Sequence, residues 1–120
     1  MGARRPDELC QLFATHARAG DIDGIMSLYE PGAVSPDDAG NNRTGAGLRA
    51  SMKPWVDTKP DLVCDPRKVI QAGDLALVHV YSHVRGSDAI GHAVEVTRRQ
   101  PDGSWLYVID DPFADREANR

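Results

Sequence analysis

Leu75 to Val84 is the run that most restricts the fold, because its residues sort by parity into two unlike faces. Successive side chains of a strand point to opposite sides. Ala76, Val78, Val80, Ser82 and Val84 then share one face, and Leu75, Leu77, His79, Tyr81 and His83 share the other. The first face is small and apolar, which suits a concave surface under helices with room left over. The second is large, amphipathic and rich in His and Tyr. It is too apolar to be left bare to water and reads as a dimer interface.

Helices to cover the first face are supplied upstream. Pro6-Asp7-Glu8 suits a first turn, where proline is tolerated and acids complement the helix dipole. Leu9, Leu12, Phe13, His16 and Ala17 recur at helical spacing. Gly20 suits a left-handed C-cap, and Asp21 is placed to cap the next helix. Ile22, Ile25, Met26 and Tyr29 form the buried stripe of that helix, which Pro31-Gly32 stops. Residues 33–47 read as a loop with a short extended piece at Ala33–Ser35. Thr44 is placed to cap a third helix that buries Leu48, Met52, Trp55 and Val56. Pro54 predicts a kink or an early end near Lys53.

Strands follow. Leu62 to Ala72 is broken at Pro66, so it is bulged or lies at an edge. Gly73-Asp74 turns the chain into Leu75–Val84, Arg85 to Ala89 turns it again, and Ile90 to Gln100 is the next strand. Pro101-Asp102-Gly103 is a hairpin signal leading into Ser104–Asp111, and Glu117 to Arg120 reads as a fraying end. Short connections make an antiparallel meander. Three helices followed by four strands predict an α+β domain spanning residues 1–120, with its core at about 7–113. Such a length supports one hydrophobic core.

Several function classes are disfavoured. Net charge is −4 and no basic stripe is present, which argues against nucleic acid. No apolar run resembles a leader or reaches membrane-spanning length, so the expected compartment is the cytoplasm, without a membrane partner. Cys10 and Cys64 have no metal-ligand spacing and read as two reduced thiols, with one disulfide as the alternative. His79 and His83 sit at strand spacing but lack a matching third ligand, so they and His92 read as interface or solvent histidines. There is no phosphate loop, nucleophile elbow or metal motif, and no cofactor is expected.

A set of segments, in order, carries a family resemblance. Ala19-Gly20-Asp21-Ile22-Asp23 through Leu28-Tyr29 resembles the AGDxDxxxxLY segment of the nuclear transport factor 2-like superfamily, the group of SnoaL-like polyketide cyclases and ketosteroid isomerases. Pro31-Gly32-Ala33-Val34, Gly73-Asp74-Leu75-Ala76-Leu77-Val78 and Arg98 through Trp105 are similar to its later motifs, and Asp110-Asp111-Pro112-Phe113 to an ending common among its bacterial members. The resemblance covers roughly residues 7–113. It implies a cystatin-like cone, a curved sheet wrapped around helices with a pocket at the open end, and a homodimer through the outer sheet faces. It does not fix a reaction, because one fold hosts many chemistries.

The resemblance also suggests where chemistry would sit. Isomerases of this group use a carboxylate base and acidic donors that hold an enolate oxygen. Counting along the motifs places Asp37 at the base position, although Asp in such a loop is also a turn former. Glu95 falls at the position of the second donor, in the pocket if the face of Ala93, Glu95 and Thr97 is concave and in solvent if it is convex. The first-helix tyrosine of the isomerases corresponds to Phe13, which cannot donate a hydrogen bond. His16, on the same stripe, is the substitute donor or simply a half-buried histidine. SnoaL-like cyclases carry an acid on the last strand, for which Asp110 is preferred here. That choice rests on alternation with Leu106 and Val108, which a bulge before Pro112 would upset. The alternative is an ordinary strand-end aspartate, or one paired with Arg98 or Arg99. Phe13, Tyr29, Met52, Trp55, Val78, Val80, Ser82 and Val108 are the expected pocket walls.

The expected function is therefore cofactor-independent proton transfer next to a carbonyl of a small apolar metabolite, as isomerase or cyclase. Asp110 and Asp37 are the base candidates, with Glu95 or His16 polarising. The alternatives are a non-catalytic binding or interaction module using the same cone, and a scaffold that uses its outer sheet face.

Overall fold

Gly20 takes φ 70°, a left-handed conformation that glycine adopts without steric cost. It closes the first helix, α1 (Leu9–Ala19), which a short 3-10 turn at Pro6–Glu8 precedes. The side chain of Asp21 accepts the amide N–H of Gly24 at 2.9 Å and caps α2 (Ile22–Met26). These are the ends that the sequence predicts. The computed structural model describes residues 2–116, so the tail expected to fray, residues 117–120, lies outside the described residues.

The segment after α2 departs from expectation. Tyr29 is not on a helix; it begins a strand, β1 (Tyr29–Pro36), which pairs antiparallel with a short strand, β2 (Asn42–Thr44). The third helix, α3 (Gly45–Asp57), starts after Thr44, although Thr44 makes no side-chain cap. It runs through Pro54 to its end rather than stopping near Lys53. Burial of Leu48, Met52 and Val56 on one face outweighs the one backbone bond that proline removes.

The remaining strands are β3 (Leu62–Ala72), β4 (Leu75–Val84), β5 (Ile90–Arg99) and β6 (Trp105–Asp111). They form the expected antiparallel meander, and the register of β3 on β4 shifts between Pro66 and Lys68, as the proline requires. The sheet has six strands rather than four, in the order β2-β1-β6-β5-β4-β3, because β1 joins β6 in parallel. Neither β1 nor β2 shows alternation in sequence. β1 carries two prolines and a glycine, and its pairing is supplied by the long-range partner β6.

The helices cover one face of this sheet. Leu9, Ala14 and Ala17 of α1, Ile22 and Ile25 of α2, and Leu48, Met52 and Val56 of α3 share a core with Tyr29, Ala76, Trp105 and Tyr107. On β4 the small residues Ala76, Val78 and Val80 are buried, while Leu75 and Tyr81 on the opposite face are about 40% exposed. No helix among the described residues is long and apolar enough to cross a membrane.

The strength of this core is measurable. Ile25→Ala, at a fully buried site, is expected to cost about 2–5 kcal/mol. Ile70→Ala, on the outer face of the edge strand opposite Leu77 and 52% exposed, should stay within about 0.5 kcal/mol. Urea denaturation of both variants checks the contrast; equal losses would mean that the outer face is also packed.

Candidate active site

A cavity of about 500 Å³ opens between the sheet and the helices. Phe13 of α1 and Met52 and Trp55 of α3 form its apolar roof, with the Phe13 and Trp55 rings 6.3 Å apart. Val80, Ser82 and Ala93 form part of its floor. Trp55, Ile90 and Arg116, all exposed, edge its mouth. A concave, mainly apolar site with a few convergent polar groups is the usual form of a small-molecule pocket.

The polar groups lie in a row across the sheet. Arg43 on β2 pairs with Ser35 on β1. Val34 pairs with Ile109 across β1 and β6, which sets Ser35 beside Asp110. Asp110 pairs directly with Glu95 on β5. All four residues line the cavity. Tyr29 and Tyr107 stand behind the row with ring centroids 4.9 Å apart, and the Tyr29 hydroxyl donates to Asp110 Oδ2 at 2.6 Å.

Burial decides the protonation of the two acids. The Asp110 carboxyl is pushed up to about 6, chiefly by desolvation, while the Tyr29 hydrogen bond and the Arg43 charge hold it back. Glu95 is raised well above the ordinary glutamate range by desolvation first and by the Asp110 charge second. Its Oε1 is sealed without a hydrogen-bond partner, as is the Tyr107 hydroxyl beside it. The order follows from these surroundings. Asp110 has a donor and a cation to favour its anion, so it ionises first; Glu95 then faces a neighbouring negative charge and keeps its proton. Like charges on directly opposed strand residues cannot both form cheaply. Near neutral pH the site therefore holds one carboxylate acceptor and one carboxylic acid donor. Burial also raises both Tyr29 and Tyr107 well above the phenol range, so each remains a hydroxyl.

The whole stretch from Cys10 to Asp111 matches the family model of the SnoaL-like domain, residues 10–111. The chain belongs to the SnoaL-like domain family. No curated protein matches it in sequence. Among solved structures it is similar to a candidate calcium/calmodulin-dependent protein kinase type II association domain from Thiobacillus denitrificans, at 17% identity and TM-score 0.77 over 94% of this chain and 98% of that one. An NTF2-like protein of unknown function from Shewanella oneidensis aligns at 17% identity and TM-score 0.74 over 88% and 93%. A candidate ketosteroid isomerase from Shewanella frigidimarina aligns at 17% identity and TM-score 0.68 over 87% and 90%. At such identities the likeness is one of fold alone.

The structure brings together some of the expected site residues and disperses others. Asp110, Glu95, Phe13, Met52, Trp55, Val80 and Ser82 line the cavity. Glu95, left open between two faces by its sequence, lies on the concave one with Thr97. Asp37 lies outside the cavity and is a turn residue: it accepts the amides of Ala39 and Asn41, and the backbone bond from Asn41 lowers its carboxyl. An acid so stabilised as the anion is a poor base for carbon. His16 also lies elsewhere, over Gly24 at the junction of α1 and α2, with Nδ1 3.5 Å from Asp21 Oδ2. Val78 is sealed beneath Cys10 rather than open to the cavity, and Tyr29 sits behind Asp110 rather than forming a wall. Val108 points away. The register of β5 on β6 shifts between Val96 and Thr97, so the extra residue puts Asp110 on the side of Tyr107 instead of the side of Leu106 and Val108. Neither Arg98 nor Arg99 takes Asp110; they pair with Glu30 and Asp74.

Arg43, Ser35 and Ser51 line the cavity without having been singled out in the sequence, and so do Cys10 and Cys64. No local pattern marks them, since β2 is three residues long and reads as loop. Both cysteines are free. The neighbouring Cys64 sulfur and burial raise the Cys10 thiol well above its ordinary range, so it is no nucleophile. Among the described residues no three His, Cys, Asp or Glu side chains are grouped to hold a metal ion. On the outer face His79 instead meets His92, Nδ1 to Nε2, at 3.3 Å.

These surroundings predict how stability follows pH. The folded chain holds the Asp110 proton to about pH 6, whereas the unfolded chain releases it near 3.8, so stability falls as pH rises through that window. A shift of this size is worth about 3 kcal/mol. Glu95, raised in the same direction by burial, adds to the decline. Asp110→Asn, which can still accept from Tyr29, should raise stability at pH 7.5 by about 1–3 kcal/mol and flatten the profile between pH 4 and 6. Thermal melts across pH test this; a variant less stable than wild type at pH 7.5 would mean that the Asp110 charge is compensated.

Proposed function

We propose that this SnoaL-like chain binds a small, largely apolar carbonyl compound and catalyses proton transfer at the carbon next to the carbonyl, as an isomerase or an aldol-type cyclase. The observation that carries this reading is the buried, unpaired Glu95 directly opposite Asp110 in an apolar cavity. Asp110, oriented by Tyr29, would take the proton from carbon. Glu95, still protonated, would donate to the carbonyl oxygen as it gains charge. Desolvation raises the basicity of the first acid and keeps the second neutral, so one apolar environment provides both roles. In the isomerases a first-helix tyrosine serves as donor; with Phe13 at that place, the donor role falls to the sheet.

A second reading is a non-catalytic assembly or ligand-binding module. Phe13, packed against Trp55 with no hydroxyl to offer, favours it. So does the outer sheet face, where Ile70, Leu75 and Tyr81 are exposed beside the half-buried Leu77 and His79. That face, with His83 at its end, is the proposed homodimer surface. The fold relative from Thiobacillus carries the name of an association domain.

Hydrogen–deuterium exchange at the carbon next to the carbonyl, followed by NMR for a panel of polycyclic and aryl ketones, separates the readings. The wild type should accelerate exchange, with a rate that rises with pH through about 6 as Asp110 ionises. Asp110→Asn and Glu95→Gln should each lower the rate by about 10²-fold or more. Ketones that bind without exchange, or an Asp110→Asn variant of undiminished rate, would assign the cavity to binding alone.

A further inference from the structure

Arg43 is a cation that lines the cavity with no carboxylate within 4 Å among the described residues, whereas Arg116, the other arginine lining it, is paired with Asp38. Its guanidinium is held by neutral acceptors only. Nε donates to the Ser35 carbonyl at 3.2 Å, and Nη2 to the Pro36 carbonyl at 3.0 Å and the Ser35 hydroxyl at 3.3 Å. Nη1 donates to the Ser51 hydroxyl at 2.8 Å. A guanidinium has five N–H donors, and these four bonds leave one, on Nη1. Ser51, which accepts that bond, keeps its own O–H to donate, and it too lines the cavity. Two donors thus lie side by side on a fixed, half-buried positive charge. Planar, charge-assisted recognition of this kind suits the two oxygens of a carboxylate.

We propose that Arg43, with Ser51, is the anion-recognition site of this cavity, and that the ligand is a short oxo acid whose carboxylate binds there while its apolar body lies under Phe13, Met52 and Trp55. This rests on the proton-transfer reading and adds to it the substrate class. The row across the sheet gives the ligand its direction: Arg43, then Asp110, then Glu95. A chain of carboxylate, C–H and ketone in that order meets cation, base and acid in turn. Asp110 takes the C–H proton, the bonding pair moves into the forming C=C bond, and the carbonyl π pair moves onto oxygen. That oxygen takes the Glu95 proton, which leaves a neutral Asp110, an anionic Glu95 and an enol. The Arg43 charge also favours the Asp110 carboxylate at range, so an acid bound at Arg43 raises the basicity of Asp110 by offsetting that charge.

The test uses 4-oxo-4-phenylbutanoate and its methyl ester as probes, with binding measured by calorimetry and C–H exchange by NMR. The acid should bind wild type at least tenfold more tightly than the ester, and the preference should weaken at high salt. Arg43→Gln should abolish the preference and leave ester affinity within about threefold. Ser51→Ala, at an exposed position with little bearing on folding, should reduce the preference by a smaller factor. Acid and ester bound equally, neither bound, or an Arg43→Gln variant that folds and keeps the preference would overturn the proposal. If the acid binds through Arg43 but undergoes no exchange, the anion site stands and the proton-transfer reading fails. If the ester exchanges as fast as the acid and binds as well, the reverse holds.

Discussion

The site depends on one irregularity in the last strand. Trp105 and Tyr107 are buried under the helices, and strict alternation would have turned Asp110 outward. An extra residue between Tyr107 and Ile109 shifts the phase, so that Asp110 follows Tyr107 to the concave side and Ile109 is left 44% exposed. A bulge leaves one residue unpaired, here Val108, and reverses the alternation beyond it while bending the strand locally. With Asp110 inside, it stands opposite Glu95 and within reach of the Tyr29 hydroxyl. The split in the protonation of the two acids follows from that placement.

The cavity exists for a simpler reason. Along β4 the inner face carries Ala76, Val78, Val80 and Ser82, which are small for a sheet covered by three helices. Near Val78 the gap is closed by Cys10 of α1. Further along, Phe13, Met52 and Trp55 span it from above without reaching the floor. Aromatic side chains there bring large apolar area with few rotatable bonds, so the space stays open instead of collapsing. The polar row crosses the floor of this space, where low polarity strengthens each charge and each hydrogen bond. Arg43, Asp110 and Glu95 are thus ordered along a line across the sheet.

Much of the frame was legible from local pattern. The parity of β4, the left-handed turn at Gly20, the Asp21 cap and the break at Pro66 are each decided by neighbours in sequence. The parallel pairing of β1 with β6 was not legible, because Pro31, Gly32 and Pro36 read as loop. That pairing supplies Tyr29, Ser35 and, through β2, Arg43 to the site, so the whole left half of the polar row lay beyond local reading. Asp37 and His16 illustrate the opposite error. Both have suitable chemistry at a suitable count along the chain, yet a turn claims one and a helix junction the other.

The sequence by itself determined the α+β order of elements, the faces of the central strand, the family motifs and the presence of acids near the strand ends. Those features depend on backbone periodicity and turn chemistry, which act over a few residues. Only the tertiary structure decided which acids share a cavity, which of them keeps its proton, and that Arg43, without a carboxylate partner among the described residues, joins them. Burial, cross-strand register and long-range charge settle those questions. They arise between residues as distant as Tyr29 and Asp110, which no local pattern brings together.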